Sequence, residues 1–253
     1  MRRRKGLRLA AGLAIAALAA GTVGGGAGAA APVETASERL VVGKSVRGKA
    51  IKAVQIGDPV GEHVVLVVGV IHGDERAGLR IIDALRRRVS DPATLQGKQL
   101  WLIPSVNPDG MRMRTRKNSR GVDLNRNFPF RWRGGVPPSS GDYPGPRPAS
   151  EPETKAVIAF ARRIQPDLSV WYHQPWGAVL ACDGRPQLGA EYANLVGMRT
   201  SCRGKGLRGT AISWEAHSFP GSTAFVVELG AGGISGRATD RHATAVLSLA
   251  GRG

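Results

Sequence analysis

Cysteine is scarce in this chain of 253 residues: Cys182 and Cys202, twenty positions apart, are the whole supply. A scaffold stapled by several disulfides is therefore excluded. Long hydrophobic runs are missing too. The apolar run AGLAIAALAA (residues 11–20) is shorter than the ~20 residues that cross a bilayer, and glycines follow it, so no transmembrane segment is expected in the mature protein. No internal repeat is visible, which excludes an array or a solenoid. Acid is in short supply, with 19 Asp and Glu against 36 Lys and Arg and a formal net charge of +17. No interleaving of basic with aromatic residues and no nucleic-acid motif accompanies that charge, so nucleic acid is not an expected partner.

What is present starts with an address. Residues 1–31 open with MRRRKGLRLA, five positive charges and no acid, continue into the apolar run, and end in small residues at A-x-A spacing. That order is the pattern of a secretory signal peptide. It predicts a secreted or cell-envelope-associated protein, and the Arg pairs at its start leave general and twin-arginine export both open. Residues 32–253 are long enough for one sizeable core and predict a single domain. Taking the five signal charges from +17 leaves +12, which favours attraction to polyanions such as an anionic cell envelope. In an oxidising compartment the two cysteines predict one disulfide, Cys182–Cys202, worth about 3 kcal/mol by chain entropy, against the alternative of two buried thiols.

Four segments read as strands buried on both faces: His63–Ile71, Gln99–Val106, Asp167–His173 and Thr223–Leu229 are short, nearly continuously apolar and rich in β-branched and aromatic residues. Helical patterns lie between them. Asp74–Ser90 places Leu79, Ile82 and Leu85 on one face, and Ser150–Ile164 offers Ser150 as a candidate N-cap with Glu153 at capping-box spacing. Such alternation predicts an α/β fold, a three-layer α/β/α sandwich around a mixed, largely parallel sheet, with its ligand site beyond the strand ends. Asn127–Ser150 is a Pro/Gly/Ser-rich loop of a length that is often functional.

In GVIHGDERAG (Gly69–Gly78), His72 and Glu75 follow an apolar strand directly, where both can aim at one point outside the sheet. Catalytic zinc uses such imidazole and carboxylate donors and keeps a fourth position open for water. H-x-x-E alone is a weak signal, since a lone histidine is more often structural. Of the other histidines, His63 stands at a strand start, His217 in a polar loop and His242 in a terminal helix; His173 alone repeats the strand-end situation of His72. Two histidines and one glutamate are a known catalytic zinc set. Glu228 lies among apolar residues in AFVVELG, a costly place for an acid unless it is paired or used. A general base and a salt-bridged carboxylate are both open for it.

Between these residues runs NPDGMRMRTRKNSRGVDLNRNFP (Asn107–Pro129). With HGDE before it and a strand-end histidine and VVEL after it, the chain from about Val64 to Leu229 resembles the zinc carboxypeptidases of the carboxypeptidase A type, and within them the small bacterial murein peptide amidase branch. The resemblance implies one zinc per chain held by His72, Glu75 and His173, with Glu228 as general base. It implies Arg116 of TRKN as the group that polarises the carbonyl and steadies the oxyanion, and Asn125 and Arg126 of DLNRN as the pair that grips a substrate carboxylate. A planar guanidinium suits both tasks. Arg112, Arg114 and Arg120 read as a solvated basic loop. The tyrosine that closes over substrate in such enzymes, some twenty residues before the base, has no counterpart here; Tyr143, Tyr192 and Trp176 are the aromatic candidates for the pocket.

The function so implied is a secreted zinc peptidase that cuts an amide bond near a free carboxylate in cell-wall peptides, through a water activated by zinc and Glu228. Two alternatives stand beside it: a zinc deacylase of N-acyl amino acids, related to succinylglutamate desuccinylase and aspartoacylase, and a catalytically silent basic module that binds the envelope. Cobalt or nickel would fit the same donors in vitro.

Overall fold

The computed structural model describes residues 39–89, 95–181, 186–202 and 206–251. The leader and Cys182 lie outside the described residues, as does Ser90 at the end of the expected first helix. Eight strands form one sheet: β1 (Arg39–Lys44), β2 (Ala50–Gly57), β3 (His63–Val68), β4 (Lys98–Ile103), β5 (Leu168–His173), β6 (Trp176–Leu180), β7 (Arg199–Ser201) and β8 (Thr223–Gly230). Their order is β1-β2-β4-β3-β5-β8-β6-β7. The central run β4-β3-β5-β8 is parallel, while β1/β2, β2/β4 and β6/β8 pair antiparallel. A mixed sheet was expected, and its four central strands are the four that the sequence marks. The others lack the continuous apolar run: β2 is interrupted by Lys52 and Gln55, β1 is largely exposed, and β6 and β7 are short.

The helices are α1 (Gly78–Arg88), α2 (Pro108–Met113), α3 (Pro152–Ile164), α4 (Pro186–Val196), α5 (Ala211–Ser218) and α6 (Gly236–Ala250). Strand side chains alternate between two buried clusters. Val65 and Val67 face α1, α4 and α6 with Leu85, Tyr192 and Val246, whereas Val64 and Leu66 face α3 and α5 with Phe160 and Trp214. Burial on both faces is why the central strands read as unbroken hydrophobic runs. Leu66 is fully buried, so Leu66→Ala would cost ~2–5 kcal/mol.

Two local readings need correction. Ser150 does not cap α3: its N-cap is Glu151, with no side-chain cap bond. Glu153 instead turns inward, fully buried, and accepts hydrogen bonds from the Val46 amide at 3.0 Å and from Asn118 Nδ2 at 3.2 Å. Pro152 at the first helical position supplies the start without a side-chain cap. His217 lies in the last turn of α5, not in a loop, and stacks on Phe130. Among the described residues, no helix is long and apolar enough to cross a membrane.

Candidate metal centre

β3 has β4 on one side and β5 on the other, so the chain leaves its C-terminal end at a point where crossovers diverge. Three parallel strands deliver side chains there: His72 just beyond β3, His173 as the last residue of β5, and Glu228 near the end of β8. His173 and Glu228 stand directly opposite each other in register. The turn after His72 packs so closely on α2 that a Cβ at Gly73 would run into the Gly110 backbone. Gly73 is required there by contact, not by conformation.

The donors converge. His72 Nδ1 lies 2.8 Å from Glu75 Oε1, His173 Nδ1 lies 2.9 Å from Glu75 Oε2, and the two Nδ1 atoms are 3.2 Å apart. Among the described residues, these three form the group able to hold a metal ion, their donor atoms all within 4.8 Å of one another. Tetrahedral bonds of ~2.1 Å set donors ~3.4 Å apart, close to what is observed. The second nitrogen of His72 supports the same reading. Its Nε2 is 3.1 Å from Oδ1 of the fully buried Asp123, an acceptor that calls for a proton on Nε2. A proton on Nε2 leaves the Nδ1 lone pair facing the centre, the tautomer a metal needs. The residues present therefore fit a zinc ion.

Asp123 was missed in the sequence, although it stands in the quoted GVDLNRNFP. Its Oδ2 also accepts from Arg116 Nε at 3.2 Å and Nη2 at 2.9 Å, so one carboxylate fixes both a ligand and the arginine beside it. Gln174 was missed as well. Its backbone amide donates to Glu75 Oε2 at 3.2 Å and its side-chain oxygen accepts from the Ala77 amide at 3.0 Å, which ties the His173 strand end to the start of α1. NPDG has a structural explanation. Asn107 caps α2 through the Gly110 amide and its Nδ2 donates to the Arg116 carbonyl at 3.3 Å, holding the arginine's loop.

Charges respond to this crowding. Burial disfavours the charged form of His72, but the Asp123 and Glu75 carboxylates outweigh it and raise the pKa to about 9, so an ion bound at Nδ1 takes the place of a proton. Glu75 and Asp123 are also penalised by burial, yet the histidines hold Glu75, and His72 with Arg116 hold Asp123, well below the usual carboxylate range. Glu228 goes the other way: burial first, then the Glu75 charge, push it up to about 7. Its Oε2 is buried without a hydrogen-bond partner.

His72, Glu75, Arg116, Asn125, Arg126, His173 and Glu228 all line one cleft of about 770 Å³. Every residue singled out in the sequence for metal, base or substrate is thus brought together. Asn125 is not free, since its Oδ1 accepts from the Ala211 amide at 3.0 Å and its Nδ2 lies 3.5 Å from His173 Nε2. Arg112, Arg114 and Arg120 are exposed. Of the three aromatic candidates, Trp176 lines the cleft, whereas Tyr143 does not and Tyr192 is buried in the cluster on the opposite face of the sheet.

Comparison with known proteins agrees with this geometry. Murein peptide amidase A of Escherichia coli (strain K12) is 33% identical over 137 residues, 48% of this chain and 52% of the relative. Carboxypeptidase SOL1 of Arabidopsis thaliana is 32% identical over 152 residues, 55% of this chain and 29% of the relative. The match thus spans about half, or less, of those proteins. Among solved structures, a murein-tripeptide amidase from Escherichia coli O157 superposes with a TM-score of 0.67 at 26% identity, covering 87% of this chain and 95% of that one. A carboxypeptidase A from Helicoverpa armigera, at 18% identity and a TM-score of 0.71 over 86% of this chain and 68% of its own, shares the fold. The family model described as zinc carboxypeptidase matches residues 31–180, more than half of the chain, and the protein belongs to that family of zinc-dependent hydrolases.

Proposed function

We propose that the protein is an exported peptidase that hydrolyses an amide bond near a free carboxylate, with murein peptides as its substrates and Glu228 as its base. The observation that carries this is Glu228 standing in register with His173, one buried carboxylate oxygen unpartnered, in the cleft that also holds Arg116 and Arg126. The murein assignment is supported by the similarity to the murein-tripeptide amidase, which runs through 95% of that chain.

His72, Glu75 and His173 would hold the zinc ion, whose chemistry when bound would be that of a Lewis acid for the carbonyl that also lowers the pKa of water. The chain does the rest. Glu228 Oε2 accepts a proton from the attacking water, keeps it in a place where burial favours the protonated form, and gives it to the leaving amine nitrogen. Arg116, steered by Asp123, donates to the oxygen on which charge develops. Arg126 donates to the substrate carboxylate, which sets the distance from that group to the bond cut. Trp176, 38% exposed, supplies an apolar wall at the cleft mouth.

Export by the N-terminal leader and a Cys182–Cys202 bridge belong to the same proposal. The described cysteine is not a free thiol. Alkylation of the unfolded, unreduced protein is expected to find no reactive thiol, and two would remove the bridge. The decisive experiment is digestion of purified muropeptides with and without a chelator, followed by mass analysis. Chelator-sensitive release of a fragment that retains a free carboxylate is expected. Intact muropeptides alongside hydrolysis of N-acyl amino acids would put the deacylase reading in its place.

A further inference from the structure

The Pro/Gly/Ser-rich loop before α3 is tied down on both limbs. Asn127 Nδ2 donates to the Pro144 carbonyl at 2.7 Å, Trp132 Nε1 to the same carbonyl at 3.1 Å, and the Asp123 amide to the Tyr143 carbonyl at 2.8 Å. Its tip folds back in a turn, in which Ser140 O accepts from the Tyr143 amide at 3.3 Å and Ser140 Oγ from the Asp142 amide at 3.2 Å. These ties bring Asp142 to the wall of the cleft. Its Oδ1 is 3.1 Å from Arg126 Nη2 and 3.7 Å from Arg116 Nη2.

One carboxylate therefore spans the two guanidinium groups left for substrate in the proposed function. The acids differ in kind. Asp123 and Glu75 also hold Arg116, but their side chains are 0% and 11% exposed and both hold His72 as well. Asp142 is 58% exposed and contacts neither histidine. Among the described residues it is the carboxylate within ion-pair distance of Arg126. Arg126 Nη1 donates to the Asn125 carbonyl at 2.9 Å, and Nη2 is the nitrogen paired with a carboxylate. Arg126 is 14% exposed, but water reaches the pair from the Asp142 side, and such a pair is worth on the order of 1 kcal/mol. That is weak enough for an incoming carboxylate to displace and strong enough to compete with it.

We infer that Asp142 is an internal stand-in for the substrate carboxylate, resting on Arg126 in the free enzyme and displaced when substrate binds. The inference rests on the proposed role of Arg126. Asp142 then sets affinity and selectivity. It neutralises Arg126 against stray anions around a strongly basic chain, and a ligand must supply contacts beyond a lone carboxylate to take its place.

The test compares the wild-type zinc-loaded protein with Asp142→Ala and Asp142→Asn, using succinate as the carboxylate probe in calorimetric titration and muropeptide hydrolysis as the second readout. Both variants are expected to bind succinate about two- to fivefold more tightly and to show a KM lowered by a similar factor. In an Arg126→Ala background that gain should vanish. Weaker binding and a raised KM in the variants would make Asp142 a residue that merely orients Arg126, and would overturn the inference. Unchanged affinity, or no measurable succinate binding to any of the proteins, would overturn it as well. If succinate binding tightens but no protein cuts muropeptides, the substrate reading fails and this inference stands. If muropeptides are cut and succinate affinity does not move, the inference alone fails.

Discussion

Two consecutive residues of β5 end in polar clusters built on opposite principles. Tyr172 points to the face covered by α1, α4 and α6, where its hydroxyl lies 2.7 Å from that of Tyr192, and the Tyr192 hydroxyl lies 2.7 Å from His242 Nδ1. Burial, then the nearby Arg241 charge, lower the His242 pKa to about 4, so its ring is neutral near pH 7 and the chain of hydrogen bonds is complete. His173 points to the other face, where two imidazoles and a carboxylate crowd one point and a fourth group, Glu228, keeps a buried oxygen without a partner. A satisfied polar network specifies architecture; an unsatisfied one is expensive and persists where a ligand completes it.

Substitutions on the two sides should separate activity from stability. Glu228→Gln is expected to lose about 10²- to 10⁴-fold in kcat while keeping its zinc and its melting temperature, measured by peptide hydrolysis, metal analysis and calorimetry. Near-wild-type turnover in that variant would remove Glu228 from the chemistry. Arg116→Ala should cost ~10²–10³ in kcat through loss of an oxyanion donor.

The third contrast is in pH. His242 has a folded pKa below its usual 6.5, so its contribution is full above pH 6.5 and is lost as the pH falls towards about 4. Glu215, buried on the site's side of the sheet beside Trp171, is pushed up to about 7 by burial. Its contribution is full below about pH 4.5 and is lost as the pH rises through 7. Each amounts to about 3 kcal/mol. Denaturant unfolding of Glu215→Gln against wild type should therefore show the variant gaining relative stability between pH 4.5 and 7.5, and a pH-independent difference would refute the assignment.

Asp123→Asn should weaken zinc binding by about 10- to 100-fold, read by competition with a chromogenic chelator. The smallest effect is expected on the far side of the sheet. Tyr192→Phe leaves His242 and Tyr172 without their shared partner and should cost ~1–3 kcal/mol in unfolding free energy with kcat/KM unmoved. A change in kcat/KM there would mean that the two clusters are coupled through β5.

What was legible in the sequence follows from the same contrast. The central strands announce themselves because both faces are dry, and His72, His173 and Glu228 announce themselves because they break or end those dry runs. Residues that act by holding others were harder to read. Asp123 resembles any loop acid until folding lays it against His72 and Arg116, and Gln174 carries no signal at all. Glu153 has the spacing of a cap, but tertiary burial gives it another partner, Asn118. The Tyr172–Tyr192–His242 chain joins three elements whose contact no local pattern encodes.

The central claim is that His72, Glu75 and His173 hold one divalent ion with a position left open beside Glu228. Anomalous diffraction from crystals of the zinc-loaded protein, recorded on either side of the zinc edge, tests it most directly. A single strong peak is expected at about 2.0–2.2 Å from His72 Nδ1, a Glu75 carboxylate oxygen and His173 Nδ1. A peak bound by other side chains, or none between these three, would contradict the account.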